Sequence, residues 1–376
     1  MAKSNKSNDD AFSILNAFLE EKKIADTVKK KPDRWYEYPA PFKEATGIKG
    51  NPLGGIVQVV GWSDTGKTTD IITGIVACQK AGHIPVIIDT EKKFSFPYAV
   101  RMGLEATRTE EVDEETGEIY EKWIGNFIYR DDFESLEDLF RFISAIFDGQ
   151  EKEVERFKKK NPNMPFKELE QICDKFSVCI VWDSAGTLVC EQRMKQGEGS
   201  AMMDAKAFGD LFKVRLASRI RETKKIGVPY WRSMIFVNQV YTGPKSNPYE
   251  ADKFATKYGE AGKFMSDFQR RWGKISNSGT ANVTISYKGY KINIGKVTSL
   301  AVEKNHDNGL SLAGNKICTL PHGLVENTKE AIEQYKTEHA AYLLEEIKKV
   351  ISTLNPNQEV GDISIQDINL QVETED

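Results

Sequence analysis

The stretch GWSDTGKT, Gly61 to Thr68, has the spacing G-x-x-x-x-G-K-S/T. That spacing suits the binding of a phosphate chain. The glycines let the backbone turn tightly, so that successive N–H groups face an anion. The helix that follows adds the positive end of its dipole. Gly61, Trp62, Ser63, Asp64, Thr65, Gly66, Lys67, Thr68 and Thr69 are the expected nucleotide contacts. Lys67 is expected to reach the terminal phosphates and the Thr68 hydroxyl to hold Mg²⁺. Asp64 is an acid inside an anion-binding loop, and its side chain is expected to point outward while the backbone binds.

Carboxylates and an amide extend the pattern. VCIVWDS (178–184) is an apolar strand ending in Asp183, a second expected metal contact. VIIDTEKK places Glu91 just past another strand, where a carboxylate can polarise an attacking water; Asp89, two residues earlier, is the alternative. SMIFVNQV (233–240) ends in Asn238-Gln239, an amide pair able to sense a γ-phosphate without charge.

These groups need a scaffold that brings strand ends together. Short apolar runs at Ile56–Val60, Pro85–Asp89, Asn126–Tyr129, Val178–Asp183 and Ser233–Val240 alternate with helical patterns. This argues an α/β fold with a central, mostly parallel sheet covered by helices on both faces. After about Gly273 the texture becomes consecutive antiparallel strands. The expected organisation is an N-terminal helix and arm (1–50), a phosphate-binding core (51–325), a C-terminal helix (326–358) and a solvated acidic tail (359–376). The N-terminal helix shows Phe12, Leu15, Phe18 and Leu19 at helix-face spacing. Two charged segments, 107–125 and 150–172, read as insertions; the first resembles a hairpin around Thr116-Gly117 and the second is broken by Pro162 and Pro165.

Composition narrows the class. Formal charge is −4, with six acids in residues 359–376 alone. A globally basic nucleic-acid binder is excluded and a local basic groove is not. The five cysteines contain no CxxC pair, which argues against a disulfide framework or zinc site. The polar start MAKSNKSNDD and the absence of a run of about 18 apolar residues lead to the expectation of a cytoplasmic protein with no membrane span.

GWSDTGKT, DTE, IVWDS and FVNQV occur in this order. The set resembles the RecA-type ATPase core of strand-exchange recombinases, over roughly residues 50–325, and is most similar to phage-encoded proteins of the UvsX type. The resemblance implies an ATP- and Mg²⁺-dependent, DNA-stimulated ATPase that forms helical filaments on single-stranded DNA and pairs it with homologous duplex. It also implies a single-strand-binding or loader protein as partner, and a bacterial cytoplasm as location if the chain is phage-encoded. Glu91 matches the family's catalytic glutamate and Gln239 its phosphate-sensing glutamine. Lys304, in LAVEKN, matches a lysine that reaches the neighbouring subunit's ATP; where bacterial members carry a second lysine this chain has His306.

Two loops would then face DNA, Gly186–Lys206 and Tyr241–Lys263. Arg193, Lys195, Lys206, Lys245, Lys253, Lys257 and Lys263 are the expected phosphate contacts, and Tyr241 and Phe254 the expected stacking groups, with Tyr249 and Tyr258 beside them. Either loop is near neutral, so composition alone does not separate a DNA groove from two polar loops. The basic clusters Lys213–Arg221 and Arg270–Lys274 read either as support for that groove or as ordinary helix faces. Two other readings remain: a ring-forming hexameric helicase, and a non-motor ATP-binding mediator of recombination.

Overall fold

The computed structural model describes residues 30–196, 201–242, 254–258, 260–275, 281–354 and 363–373. The hydrophobic strip expected at Phe12–Leu19 lies outside them, as do Lys245, Tyr249 and Lys253.

The strands, in chain order, are β1 (Trp35–Glu37), β2 (Gly50–Pro52), β3 (Ile56–Gly61), β4 (Ile84–Asp89), β5 (Ala106–Val112), β6 (Ile119–Gly125), β7 (Ile128–Arg130), β8 (Val178–Asp183), β9 (Arg232–Thr242), β10 (Phe254–Thr256), β11 (Phe268–Gly273), β12 (Ala281–Tyr287), β13 (Tyr290–Asn305), β14 (Leu312–Leu320), β15 (Gly323–Glu326) and β16 (Asn369–Glu373). The main sheet runs β15-β14-β13-β11-β3-β9-β8-β4-β7. From β11 to β7 every pairing is parallel. β12 to β15 are antiparallel, as the sequence indicated.

Both faces of the parallel part are covered, and the strands alternate accordingly. Val57, Val59, Cys179, Val181, Ile235 and Val237 point to one face, under the helix Lys67–Lys80. Ile56, Ile180, Trp182, Met234 and Phe236 point to the other, under Leu136–Lys160 and the helical run from Ala201 to Glu222. Near-continuous apolar runs are what two covered faces require. All five cysteines are buried and free. Among the described residues no helix is long and apolar enough to cross a membrane.

Several boundaries differ from expectation. Residues 30–50 are not a separate arm: Tyr36, Tyr38 and Phe42 are at most 2% exposed and belong to the core beneath the helix Lys67–Lys80. The rings that made this stretch read as irregular are what bury it. The expected single C-terminal helix is two, Lys329–Glu338 and Ala340–Leu354. The chain turns between them at His339, whose ring stacks on His322 at 3.8 Å. Residues 363–373 are not a solvated tail. β16 adds an antiparallel edge strand to β12, and Ile363, Ile368 and Leu370 are buried against the two helices. The alternation Ile368, Leu370 places both on one face, and that apolar gain outweighs the local charge.

The two charged segments take the expected local forms. β5 and β6 make a two-stranded hairpin, pinned by Trp123 stacking on Phe96 at 5.3 Å. The helix Leu136–Lys160 stops before Pro162, and the next helix, Phe166–Cys173, starts after Pro165.

Candidate functional site

The parallel strands end together, and the chemistry collects at their C-terminal edge. Gly61 of β3 lies beside Gln239 of β9, and Asp89 of β4 beside Asp183 of β8. Ligands of open α/β sheets bind at this edge.

The phosphate loop leaves β3 at Gly61 and enters the helix at Lys67. Gly66 sits at φ +107°, and a Cβ there would lie 2.8 Å from the Trp272 ring and 2.9 Å from Thr319. Only glycine meets both demands. Thr65 Oγ1 donates to the Trp62 carbonyl at 2.8 Å, which tightens the turn. The Lys67 ammonium folds over the loop onto the same carbonyl. Burial lowers the pKa of Lys67, against the pull of Asp183, Glu91 and Asp64. Asp64 does point outward: its side chain is 84% exposed and lies 3.8 Å from Lys296. Thr68 is exposed at the mouth, and the Thr69 hydroxyl is 2.9 Å from Tyr98 OH.

A cleft of about 350 Å³ opens beside the loop, lined among others by Lys67, Thr68, Tyr98, Arg101, Lys296 and Tyr342. The last four were not singled out in the sequence. Tyr98 and Arg101 share a face of the short helix Phe96–Arg101, whose Ser95 cap and i, i+3 spacing carried the signal.

Glu91 and Gln239 meet. Gln239 Nε2 donates to Glu91 Oε1 at 2.8 Å, and Ser184 Oγ donates to the same oxygen at 2.5 Å. Lys93 lies 3.3 Å from Oε2. Burial pushes the Glu91 pKa up, but the hydrogen bonds from Ser184, Lys93 and Gln239 outweigh it and hold the carboxyl below its ordinary value. Asp89 is engaged elsewhere, accepting from Phe94 N at 2.7 Å and from Tyr129 OH at 3.1 Å, and it is buried. Asp183 is raised to about 7 by burial first and by the carboxylates of Glu91 and Asp89 next, against Lys67 and Lys93. A carboxyl held this way is poised to release its proton when a cation arrives. Thr90 joins the two acid-bearing turns: its N–H donates to the Asp183 carbonyl and its hydroxyl to Ser184 O, at 2.8 and 2.9 Å.

The two candidate DNA loops are tied to each other at their bases. Lys257 donates to the Gly186 carbonyl, and Tyr258 OH to Leu188 O at 2.6 Å. Asn238 turns its amide onto Lys257 O at 2.9 Å. Tyr258 is buried and stacked on Phe208 at 4.6 Å, so it is a core ring rather than a base-stacking one. Arg193 is paired with the buried Asp204. Lys195, Lys206, Lys263 and Tyr241 are exposed. Phe254 opens β10, which pairs with the end of β9.

Arg270 and Arg271 lie on a strand and not on a helix face or groove. Arg270 is fully buried, and Arg271 pairs with Glu303 across to β13. β11 itself was hidden by those arginines. Arg219, of the other basic cluster, lies in a helix and pairs with Asp148 and Glu151 at 2.7 and 2.8 Å. Lys304 is three residues back from the loop edge: it faces Gln269, which faces Gln58, whereas Trp272 faces Gly61. Its ammonium donates to the Lys263 carbonyl at 2.6 Å. Lys304 is therefore not part of this chain's own phosphate site. His306 lies 3.7 Å from Asp267.

Residues 38–124 match the RecA N-terminal domain family. RecA of Ureaplasma parvum serovar 3 is 36% identical over 75 residues, 20% of this chain and 22% of that protein. RecA of Porphyromonas gingivalis (strain ATCC 33277) is 42% identical over 60 residues, 16% and 18% of the two chains. The matched segment thus spans about a fifth of these relatives' length. Among solved structures, a crystal structure of the RadB recombinase aligns with 77% of this chain and 97% of its own, at TM-score 0.41 and 15% identity. The segment that matches the RecA N-terminal domain family carries both the phosphate loop and Glu91.

Proposed function

We propose that this chain is an ATP-dependent DNA recombinase that polymerises on single-stranded DNA and promotes homologous pairing and strand exchange, as phage recombinases of the UvsX type do. The observation that carries the reading is the contact between Gln239 and Glu91. It links the residue suited to orient water with the end of β9, from which the chain continues into the second candidate DNA loop. A γ-phosphate that drew Gln239 away would free Glu91 and move that loop in one step.

In this reading the loop N–H groups and Lys67 hold the phosphates. Thr68 and Asp183 fit Mg²⁺: a hydroxyl at the cleft and a carboxyl at the neighbouring strand end, held protonated up to about 7 by burial and ready to ionise against a cation, the chemistry of an oxygen-ligand site. The metal supplies charge neutralisation at the transferring phosphoryl group. Glu91 orients the water, Gln239 reports the phosphate, and Lys304 acts on the nucleotide of a neighbouring copy. The exposed Lys195, Lys206, Lys263 and Tyr241 are available to DNA. Lys245, Lys253 and Phe254 are the further DNA contacts of this reading, by sequence, and Arg193 and Lys257 would join by exchanging their present partners for phosphates.

Electron microscopy with ATP and single-stranded DNA tests the assembly. Helical filaments are expected. Closed six-membered rings would favour the helicase reading. Nucleotide binding without DNA-stimulated hydrolysis would favour the mediator.

A further inference from the structure

The helix after the phosphate loop carries a carboxylate where an anion site least tolerates one. Asp70 lies in its first turn, three residues after Lys67, and is fully buried. Its charge is answered from β11. Arg270 Nη2 is 3.1 Å from Asp70 Oδ1, and neither side chain is exposed. Trp272 Nε1 donates to Oδ2 at 2.8 Å, and Tyr38 OH to Oδ1 at 3.1 Å. Asn51 completes the cluster: Arg270 donates to its Oδ1 at 2.7 Å, and its amide donates to Tyr38 OH at 2.8 Å. The guanidinium lies over the rings of Tyr38 and Phe42, 5.1 Å from each centroid. The Trp272 ring that grips Asp70 is also the surface beneath Gly66.

Such a pair adds little stability over an apolar pair of the same size. Its effect is on charge and direction. Burial pushes the Asp70 carboxyl up and Arg270 draws it back toward the ionised form; while ionised, Asp70 without that partner would repel phosphates bound one turn away, through a medium that screens poorly. Arg270 cancels that repulsion, and the bonds to Arg270 and Trp272 fix the helix start over β11.

We propose that Arg270 and Asp70 are a positioning pair for the phosphate loop, in which Arg270 compensates a buried carboxylate that would otherwise oppose phosphate binding. The inference rests on the nucleotide-binding reading above. It predicts opposite signs for two substitutions. Arg270→Met leaves Asp70 uncompensated and should weaken Mg-ADP binding about tenfold or more, within the usual range of coupling between sites. Asp70→Asn keeps the shape, leaves the arginine's charge, and should hold or tighten ADP binding. Asp70→Leu with Arg270→Met removes both charges and should regain most of the lost affinity. Titration calorimetry of the full-length chain with Mg-ADP, with thermal melting alongside, reads all three. If Arg270→Met does not fold, Asp70→Asn and the double variant decide, since a merely structural role weakens binding in both. The proposal is overturned if Arg270→Met melts lower yet binds ADP like the parent, or if Asp70→Asn loses affinity. An unsubstituted chain that binds no ADP would instead refute the nucleotide reading itself.

Discussion

Replacing Glu91 with Gln separates water activation from binding and folding. The substitution keeps the side-chain shape and one oxygen acceptor for Ser184 Oγ and Gln239 Nε2. It removes the charge and the affinity for a proton. A positioned base contributes about 10²–10⁴ in rate, or roughly 3–5 kcal/mol of barrier at about 1.36 kcal/mol per decade. We therefore expect kcat for DNA-stimulated ATP hydrolysis to fall by at least about 100-fold. Binding should survive, because Glu91 opposes a polyanion rather than holding it. Folding should survive as well, because the lost ion partner is the exposed Lys93, and exposed pairs are worth about 0–1 kcal/mol. One secondary effect follows from the same geometry: Glu91 helps raise Asp183, so its neutralisation should bring Asp183 down toward the ordinary carboxylate range. Steady-state ATPase assays, ATP titration calorimetry and a thermal melt on one preparation measure all of this. A turnover within about threefold of the parent would refute the role of Glu91, since no base effect is that small. Loss of binding together with turnover would show that the Ser184–Glu91–Gln239 contact is structural.

Three other outcomes follow. Mg-nucleotide affinity should rise as pH increases through about 7 and should be accompanied by proton release; Asp183→Asn should abolish that dependence. The sign for folding is the reverse: the folded Asp183 keeps a proton that the unfolded chain has lost between roughly pH 4 and 7, so this group's contribution to stability falls as pH rises through that window, as denaturant melts across pH can show. Gly66→Ala should eliminate nucleotide binding, because the added methyl meets Trp272 and Thr319 under 3 Å at a positive φ; near-normal affinity by calorimetry would mean the loop is not held as described. Truncation after Gln358 should destabilise the C-terminal lobe by several kcal/mol, since Ile363, Ile368 and Leu370 each bury roughly 1.5–3 kcal/mol of apolar surface as an upper estimate, and an unchanged melting curve would contradict the role of β16.

What could be read from the sequence was local. Ile56–Gly61, Val178–Asp183 and Arg232–Val240 are apolar strands with polar ends, and strand period plus a loop signature places those ends at one edge. What could not be read depends on distant partners. Arg270 is buried because Asp70, some 200 residues earlier, neutralises it, and FQRRWG has no strand signature without that pairing. Tyr258 sits beside the expected stacking rings in the sequence, and only the distant Phe208, stacked on its face, makes it a core ring. The final segment showed apolar alternation at Ile368 and Leu370, yet its acids suggested solvent; only the open edge of β12 explains the outcome. The aromatic stretch at Tyr36–Phe42 likewise needed a helix to cover before it could be recognised as core.

Joint-molecule formation is the most direct measure of the proposed activity. With ATP, Mg²⁺, single-stranded DNA and a homologous supercoiled duplex, the chain should form D-loops that depend on homology and vanish in Lys67→Ala. Filaments that never pair homologous DNA, or pairing that persists without ATP, would contradict an ATP-dependent strand-exchange protein.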